Sequence, residues 1–210
     1  DRAHPLSAAA GMTEGRWPRR TRSLELRLPS AADIDEVLTW RNHPEVSRWL
    51  LRTQVDPDAY RAAWLDTPAD SLDQGVVAAH DGAVIGTVTL AVVDEMGQPH
   101  RGARLADGSG PWRGAHGRLG YLIAPGAHGR GLASEMIAAM LEVAFDDLGL
   151  HRVSGGCFDD NTGSWRVMEK CGMRREQHGV QDSWHADLGW VDGFTYAVLA
   201  QEWRAARPRA

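Results

Sequence analysis

Residues 119–134 read LGYLIAPGAHGRGLAS. The apolar run Leu119–Ala124 has the length and composition of a buried strand. Pro125 and Gly126 end it. His128, Gly129, Arg130 and Gly131 then lead into Leu132, Met136, Ile137, Met140, Leu141, Ala144 and Phe145, which recur at helical spacing. A strand, a glycine-rich turn and an amphipathic helix follow one another. Such a turn turns several backbone N–H groups outward at the positive end of a helix, where phosphate oxygens are held well. A plain strand-to-helix turn would also use glycine, for steric reasons alone.

The chain has 210 residues, 43% of them hydrophobic, with a formal net charge of -5. That length and composition suit one globular domain with a sizeable core. No apolar run approaches the ~18 residues of a membrane span, so no membrane association is expected. The first residues, DRAHPLSAAAGMTEG, lack a continuous apolar segment and read poorly as a signal peptide. Residues 1–22 are expected to be a flexible arm or an expression or processing remnant, 23–203 the folded domain and 204–210 a tail. Cys157 and Cys171 form no disulfide framework, which fits a reducing cytoplasm. The acidic balance argues against direct nucleic-acid binding and is compatible with a cationic partner. Nine tryptophans against three Phe and three Tyr put much of the aromatic bulk in Trp, for the core or for the wall of a cleft.

From the N-terminal side, the basic run Arg16–Arg22 reads as a solvated lead-in. Leu24, Leu26 and Leu28 alternate as a half-buried strand, and Ser30 or Asp33 starts a helix with Ile34, Val37 and Leu38 inward. Pro44 ends any helix near His43, so Trp40–Val46 is either a polar cap and turn or part of a cleft wall. Asp56 and Pro57 open a second helix. Asp81-Gly82 between Gly75–Ala79 and Ala83–Val92 marks a hairpin. Residues 94–116 read as a long loop, either a substrate-side arm or a disordered insertion. Beyond the long helix, His151–Phe158 is a strand, Thr162–Cys171 a helix and Met173–Glu176 the start of a strand. Gly179–Val191 reads as a polar loop before a last strand, Phe194–Leu199. The sum is an α/β sheet protein built on one central strand–loop–helix unit.

Common catalytic signatures are absent: no G-x-S-x-G, H-E-x-x-H, C-x-x-C or G-x-x-x-x-G-K-S/T, and no metal-ligand motif. The glycines at 126, 129 and 131 are spaced G-x-x-G-x-G, and the loop lies past mid-chain, unlike a dinucleotide-binding fingerprint. At this point the chain resembles the GNAT superfamily of acetyl-CoA-dependent N-acetyltransferases, and within it the ribosomal-protein serine/alanine N-terminal acetyltransferases. The resemblance spans about residues 23–203. It rests on Trp40–Val46, on Gly120-Tyr121 leading to Pro125 and Gly129–Ala133, on Asn161 and Ser164 with Glu169–Met173, and on Asp192 with Glu202-Trp203.

The resemblance implies a mixed, mostly antiparallel central sheet with splayed central strands, flanked by helices. It implies acetyl-CoA as cofactor. Its pantetheine arm would lie along Leu122, Ile123 and Ala124, and its pyrophosphate on Gly126, Gly129, Arg130, Gly131, Leu132 and Ala133. Asn161 would bond the pantetheine, Lys170 or Arg166 would lie near the phosphate or adenine end, and Ser164 would hydrogen-bond or protonate the leaving thiolate. On the residues alone, Asn161 also reads as a helix N-cap and Ser164 as a polar residue of the first turn. A neutral amine would attack the thioester directly, its carbonyl polarised by the N–H of Ile123 or Ala124. The acceptor would be a peptide N-terminal amine or a small molecule such as an aminoglycoside, and the protein a monomer or homodimer. Many relatives carry a glutamate where this chain has Arg118, so the base falls to His116, Glu45, Asp159 or Asp160. That substitution also leaves room for a CoA-binding protein without catalysis.

Overall fold

The computed structural model describes residues 16–66, 71, 73–98 and 110–207. Residues 1–15 of the expected arm, most of the Pro68–Asp73 loop and 99–109 of the expected long loop lie outside them. Among the described residues, eight strands form one sheet in the order β1-β2-β3-β4-β5-β6-β8-β7. They are β1 (Arg19–Arg20), β2 (Glu25–Arg27), β3 (Gln74–His80), β4 (Ala83–Val93), β5 (His116–Ile123), β6 (Arg152–Phe158), β7 (Arg174–His185) and β8 (Gly189–Leu199). The helices are α1 (Ala31–Arg41), α2 (Pro44–Ser47), α3 (Pro57–Leu65), α4 (Leu132–Glu142), α5 (Thr162–Lys170) and α6 (Ala200–Ala206). The expected sheet is therefore present: mixed, mostly antiparallel and flanked by helices.

Strands β5 and β6 run parallel, while the other neighbouring pairs are antiparallel. A parallel pair needs a crossover, and α4 supplies it. Every apolar residue of its periodic stripe, from Leu132 to Phe145, is buried, with Met136, Ile137 and Met140 at 0% exposure. The helix widens into a π turn at Val143–Asp147 and stops at Gly149 (φ +65°). On the other face of the sheet, α1 buries Val37 against Val77 and Val84, and Ile34 is fully buried as well. Asp81 (φ 50°) and Gly82 (φ 86°) both take positive φ, the geometry of a tight hairpin turn that an Asp-Gly pair accommodates.

Four expectations need correction. Arg16–Arg22 is not a solvated lead-in. Arg19–Arg20 pairs with Glu25–Leu26 as an extra strand, and Trp17 packs on the core and donates to Gln74 Oε1 at 3.1 Å. Asp147 receives both Arg16 and Arg19, so tertiary carboxylates neutralise the run. Leu28 is 54% exposed because β2 ends at Arg27, ahead of Pro29. Strand β5 begins at His116 rather than at Leu119. The polar stretch 179–191 is the tip of a long β7–β8 hairpin, not a loop. β7 is an edge strand with most side chains in solvent, so no apolar alternation marks it. No helix among the described residues is long and apolar enough to cross a membrane.

Candidate active site

Strands β5 and β6 pair only through His116–Arg152, Gly117–Val153 and Arg118–Ser154. Beyond that point both strands continue, to Ile123 and Phe158, without pairing to each other. The Ala124 N–H donates to the Ile85 carbonyl at 2.9 Å, in line with the Gly86–Ile123 register. Antiparallel bonding alternates along a strand. The backbone groups of even-numbered β5 residues therefore meet β4, and odd-numbered residues turn toward β6: the Leu119 N–H serves the last bridge, at Arg118–Ser154, while Tyr121 and the Ile123 N–H face the gap and the Ile123 carbonyl lies 3.2 Å from His128 Nε2. A buried strand edge of this kind needs a hydrogen-bonding partner. The Ala124 N–H is thus taken by β4 and cannot polarise a thioester, whereas the Ile123 N–H faces the gap.

The glycine turn lies at one mouth of the gap. Gly129 (φ +73°) and Gly131 (φ +79°) occupy the left-handed region, and an added Cβ at either would meet nothing within 4 Å. Glycine is needed there for backbone conformation, not for lack of room. Gly131 is the N-cap of α4 and no side chain caps that helix, so its first N–H groups are free to receive an anion. Arg130 Nη2 reaches His80 Nε2 at 2.8 Å, and His80 Nδ1 lies 2.8 Å from the Ser23 carbonyl. With Nδ1–H donating to Ser23, Nε2 accepts from Arg130 and pins the guanidinium beside the turn.

A cavity of about 390 Å³ runs from this turn along the gap. Of the residues expected to hold the cofactor, Leu122, Ile123, Gly129, Gly131, Leu132, Ala133, Asn161, Ser164 and Lys170 line it. Ala124, Gly126 and Arg130 do not, and border it through the turn instead. Asn161 caps α5, its Oδ1 accepting from the Ser164 N–H at 3.2 Å. Its side-chain NH₂ remains as a donor toward a ligand. Glu45 also lies on this wall. His43 caps α2, while Asn42 is clamped to Val55 by both its amide atoms. Trp40–Val46 thus serves as both cap and cleft wall.

A second cavity, about 730 Å³, opens on the opposite face of the sheet between β5, β6, α3 and the β7–β8 hairpin. Both cavities are lined by Trp49, Leu50, Tyr121, Leu122, Asn161 and Ser164, so they meet where the strands part. At that junction Tyr121 OH lies 2.7 Å from Ser164 Oγ and donates to the Ser164 carbonyl at 3.0 Å. Burial pushes the Tyr121 phenol well above its ordinary range, which keeps it a proton donor. Burial likewise pushes the neighbouring Cys157 thiol up to about 11, so it stays protonated and unreactive near neutral pH. Tyr121, Trp49 and Leu50 were not among the expected site residues. The alternation Leu119, Tyr121, Ile123 carries a signal for Tyr121, because a lone hydroxyl sits on an otherwise apolar face. Nothing comparable marks Trp49.

None of the candidate bases lines both cavities. His116 lies at the start of β5 and lines neither cavity, and Glu45 lines the first cavity but not the second. Asp159 and Asp160 line neither. The His116 side chain is 11% exposed, and its ring lies between Glu95, 2.7 Å from Nδ1, and Ser154, 2.7 Å from Nε2. Burial pulls its pKa below the ordinary value, with Glu95 acting against that pull and Arg152 and Arg118 with it.

The comparisons agree with this architecture. A family model described as an acetyltransferase (GNAT) domain matches residues 23–174. An uncharacterised N-acetyltransferase of Bacillus subtilis, YnaD, is 38% identical over 85 residues, 40% of this chain and 49% of that protein. A second from the same organism, the probable N-acetyltransferase YjcK, is 32% identical over 102 residues, 49% and 48% of the two chains. This chain thus spans about half the length of the curated relatives it matches. Among solved structures, the spermidine N-acetyltransferase of Vibrio cholerae, in complex with CoA and spermine, superposes with a TM-score of 0.70 at 19% identity. That match covers 88% of this chain and 99% of that one. The ribosomal-protein-S5-alanine acetyltransferase of Vibrio fischeri gives 0.69 at 16% identity, covering 91% and 100%. At those identities the two structures speak to the fold. The family match over most of the chain, with the parted strands and the uncapped glycine turn, places this protein in the GNAT acetyltransferase family.

Proposed function

We propose that the protein transfers the acetyl group of acetyl-CoA to a primary amine, by direct attack with both substrates bound. The observation that carries this is the meeting of the two cavities at Tyr121, Asn161 and Ser164. One cavity starts at an anion-ready helix end, the other opens on the far face, and a single gap in the sheet joins them. The backbone of Tyr121 and the Ile123 N–H, which neither β4 nor β6 takes up, fit an amide-bearing arm laid down as a missing strand. The uncapped α4 terminus, with Arg130 alongside, fits a pyrophosphate. When bound, acetyl-CoA supplies an activated acyl group and a thiolate leaving group.

The chain's own groups then have defined tasks. The Ile123 N–H is placed to polarise the acyl oxygen. The Tyr121–Ser164 hydroxyl pair is placed to give a proton to the departing sulfur. Lys170 and Arg166, on the cofactor wall, complement the phosphates farther out. Glu45, on that same wall, is poorly placed to take a proton from an amine arriving through the second cavity.

The acceptor cavity favours a peptide-like N-terminal amine over a polycation. Among the described residues, Arg41 and Arg118 stand on its wall against one carboxylate, Asp182. A polyamine or aminoglycoside entering there would meet like charge. A peptide brings one ammonium and a train of amides and carbonyls, which arginines can receive. Trp49, Tyr60, Trp64, Phe158 and Phe194 supply an apolar lining. The test is acetyl-CoA consumption with three acceptors at equal concentration: an Ala- or Ser-initiated peptide, spermidine and kanamycin. The peptide is expected to give a kcat/KM at least ~10-fold above the two cations. Preference for either cation would overturn the peptide reading and leave the transferase reading in place.

A further inference from the structure

Two strands and a loop bring together a group of side chains that the transfer described above does not use. Glu95 follows β4, His116 opens β5 and Ser154 stands on β6. Glu95 Oε1 lies 2.7 Å from His116 Nδ1, and His116 Nε2 lies 2.7 Å from Ser154 Oγ. A carboxylate can only accept, so it fixes the proton on Nδ1 and leaves Nε2 as an acceptor for the serine hydroxyl. Ser154 lines the acceptor cavity, whereas His116 does not. The order is therefore cavity, hydroxyl, imidazole, carboxylate. Ser154 pairs in register with Arg118, three residues short of Tyr121, which is about 10 Å along a strand. A cavity of about 730 Å³ has ample room for waters at about 30 Å³ each across that distance.

We infer that Ser154, His116 and Glu95 form a proton relay that drains the acceptor amine into the interior of the sheet. The inference rests on the transferase reading and adds to it the missing base. The acceptor arrives as an ammonium, which has no lone pair to attack with. Its N–H bond breaks and the proton passes through cavity water to Ser154 Oγ. The Ser154 O–H proton passes at the same time to His116 Nε2. The net result is a neutral amine with a free lone pair and an imidazolium on His116, balanced by the Glu95 carboxylate. After product leaves, the Nε2 proton returns through Ser154 Oγ to cavity water, which restores the Nδ1–H tautomer held by Glu95. None of the three is a catalytic residue in the sense of touching the reacting carbon. They act through water.

Burial favours the neutral imidazole, the form that can accept. The charged groups around the ring are Glu95 after β4, Arg118 on β5, Arg152 on β6 and Glu176 on β7. Because the ring's pKa lies below its ordinary value, the acceptor form persists through neutral pH. It is lost only as pH falls through that lowered pKa, so the acidic limb of kcat/KM should lie below about 6.5.

The test uses His116→Gln, whose amide keeps a hydrogen bond to Ser154 without carrying a proton, and Ser154→Ala. Each is compared with wild type on an Ala-initiated peptide, on spermidine and on hydroxylamine, an amine already neutral at pH 7. The relay predicts a ~10²-fold loss of kcat with whichever basic amine wild type acetylates. It predicts a much smaller loss with hydroxylamine, unchanged CoA affinity by calorimetry, and no limb below 6.5 in His116→Gln. A readout apart from activity is the ¹⁵N spectrum of the free protein's imidazole. Nδ1–H should be the tautomer, with a pKa below the ordinary value that moves in Glu95→Gln. Equal losses with all amines, or a kcat within twofold of wild type, would overturn the relay alone. Wild-type protein that binds CoA and acetylates none of the three amines would overturn the transferase reading, and the relay with it.

Discussion

Tyr121 and Ser164 show how much of the site depends on single hydroxyls. Their 2.7 Å contact bridges β5 and α5 across the junction of the two cavities. Tyr121→Phe should lower kcat by about 10–100-fold with CoA affinity unchanged, because the ring still fills the gap and only the proton donor is lost. Steady-state kinetics beside CoA calorimetry checks this, and an unchanged kcat would remove the hydroxyl from the mechanism. Gly131 supports a different prediction. Its φ of +79° costs a non-glycine residue about 1 kcal/mol, yet a Cβ there meets no neighbour. Gly131→Ala should fold with a slightly lower Tm and bind CoA more weakly, since the methyl stands where phosphate would approach. Unaltered CoA affinity would argue against phosphate binding at this turn. The need for glycine was legible from spacing, but the source of that need, conformation and not crowding, required the backbone. Glu95, His116 and Ser154 stood far apart in the chain, and no spacing rule joins residues whose meeting depends on the β4–β5–β6 register.

The central unit was the most readable element, because helix α4 keeps one apolar stripe from Leu132 to Phe145 and a buried strand precedes it. The hairpin at Asp81-Gly82 was equally plain, since that pair suits its positive φ angles. The β7–β8 hairpin was hidden. An edge strand such as β7, wetted on most of its surface, has little apolar pattern to read, and its tip carries Trp184 and Trp190 in solvent. Helix α1 illustrates capping chemistry that spacing does reveal. Ser30 and Asp33 form a reciprocal capping box, and Arg27 binds Asp33 through both its terminal nitrogens. The Arg27 guanidinium, helped by Ser30, holds the Asp33 carboxyl down to about 2. Its folded pKa is depressed, so the stabilisation is full above the unfolded value near 4 and disappears as pH falls toward 2. Asp33→Asn should cost about 1–2 kcal/mol at pH 7 and flatten the pH dependence of stability between 4 and 2. Urea unfolding at several pH values measures it, and parallel curves for the two proteins would contradict the assignment.

Among the described residues, the molecule as a whole is a sheet opened at its one parallel pair, with a cavity on each face. Its net charge of -5 would by itself favour a cationic acceptor, yet the cavity proposed for the acceptor carries, among the described residues, Arg41 and Arg118 against Asp182. Composition averages over the surface, and specificity is set by the few groups inside the cleft. The family was readable from residues 119–134 and 161–173, while the order of strands in the sheet was not. The acceptor side was not, because its walls come from α1, α3, β6 and the β7–β8 hairpin, brought together only by folding. The most direct test of acetyl transfer through the gap is a paired assay of thiol release and acceptor acetylation. Purified protein is incubated with acetyl-CoA and an Ala-initiated peptide, and free CoA thiol and N-terminally acetylated peptide are quantified together. One thiol released per peptide acetylated, both abolished when the peptide amine is blocked, is the expected result. Tight CoA binding with neither product, for the peptide and for every other amine supplied, would contradict the account.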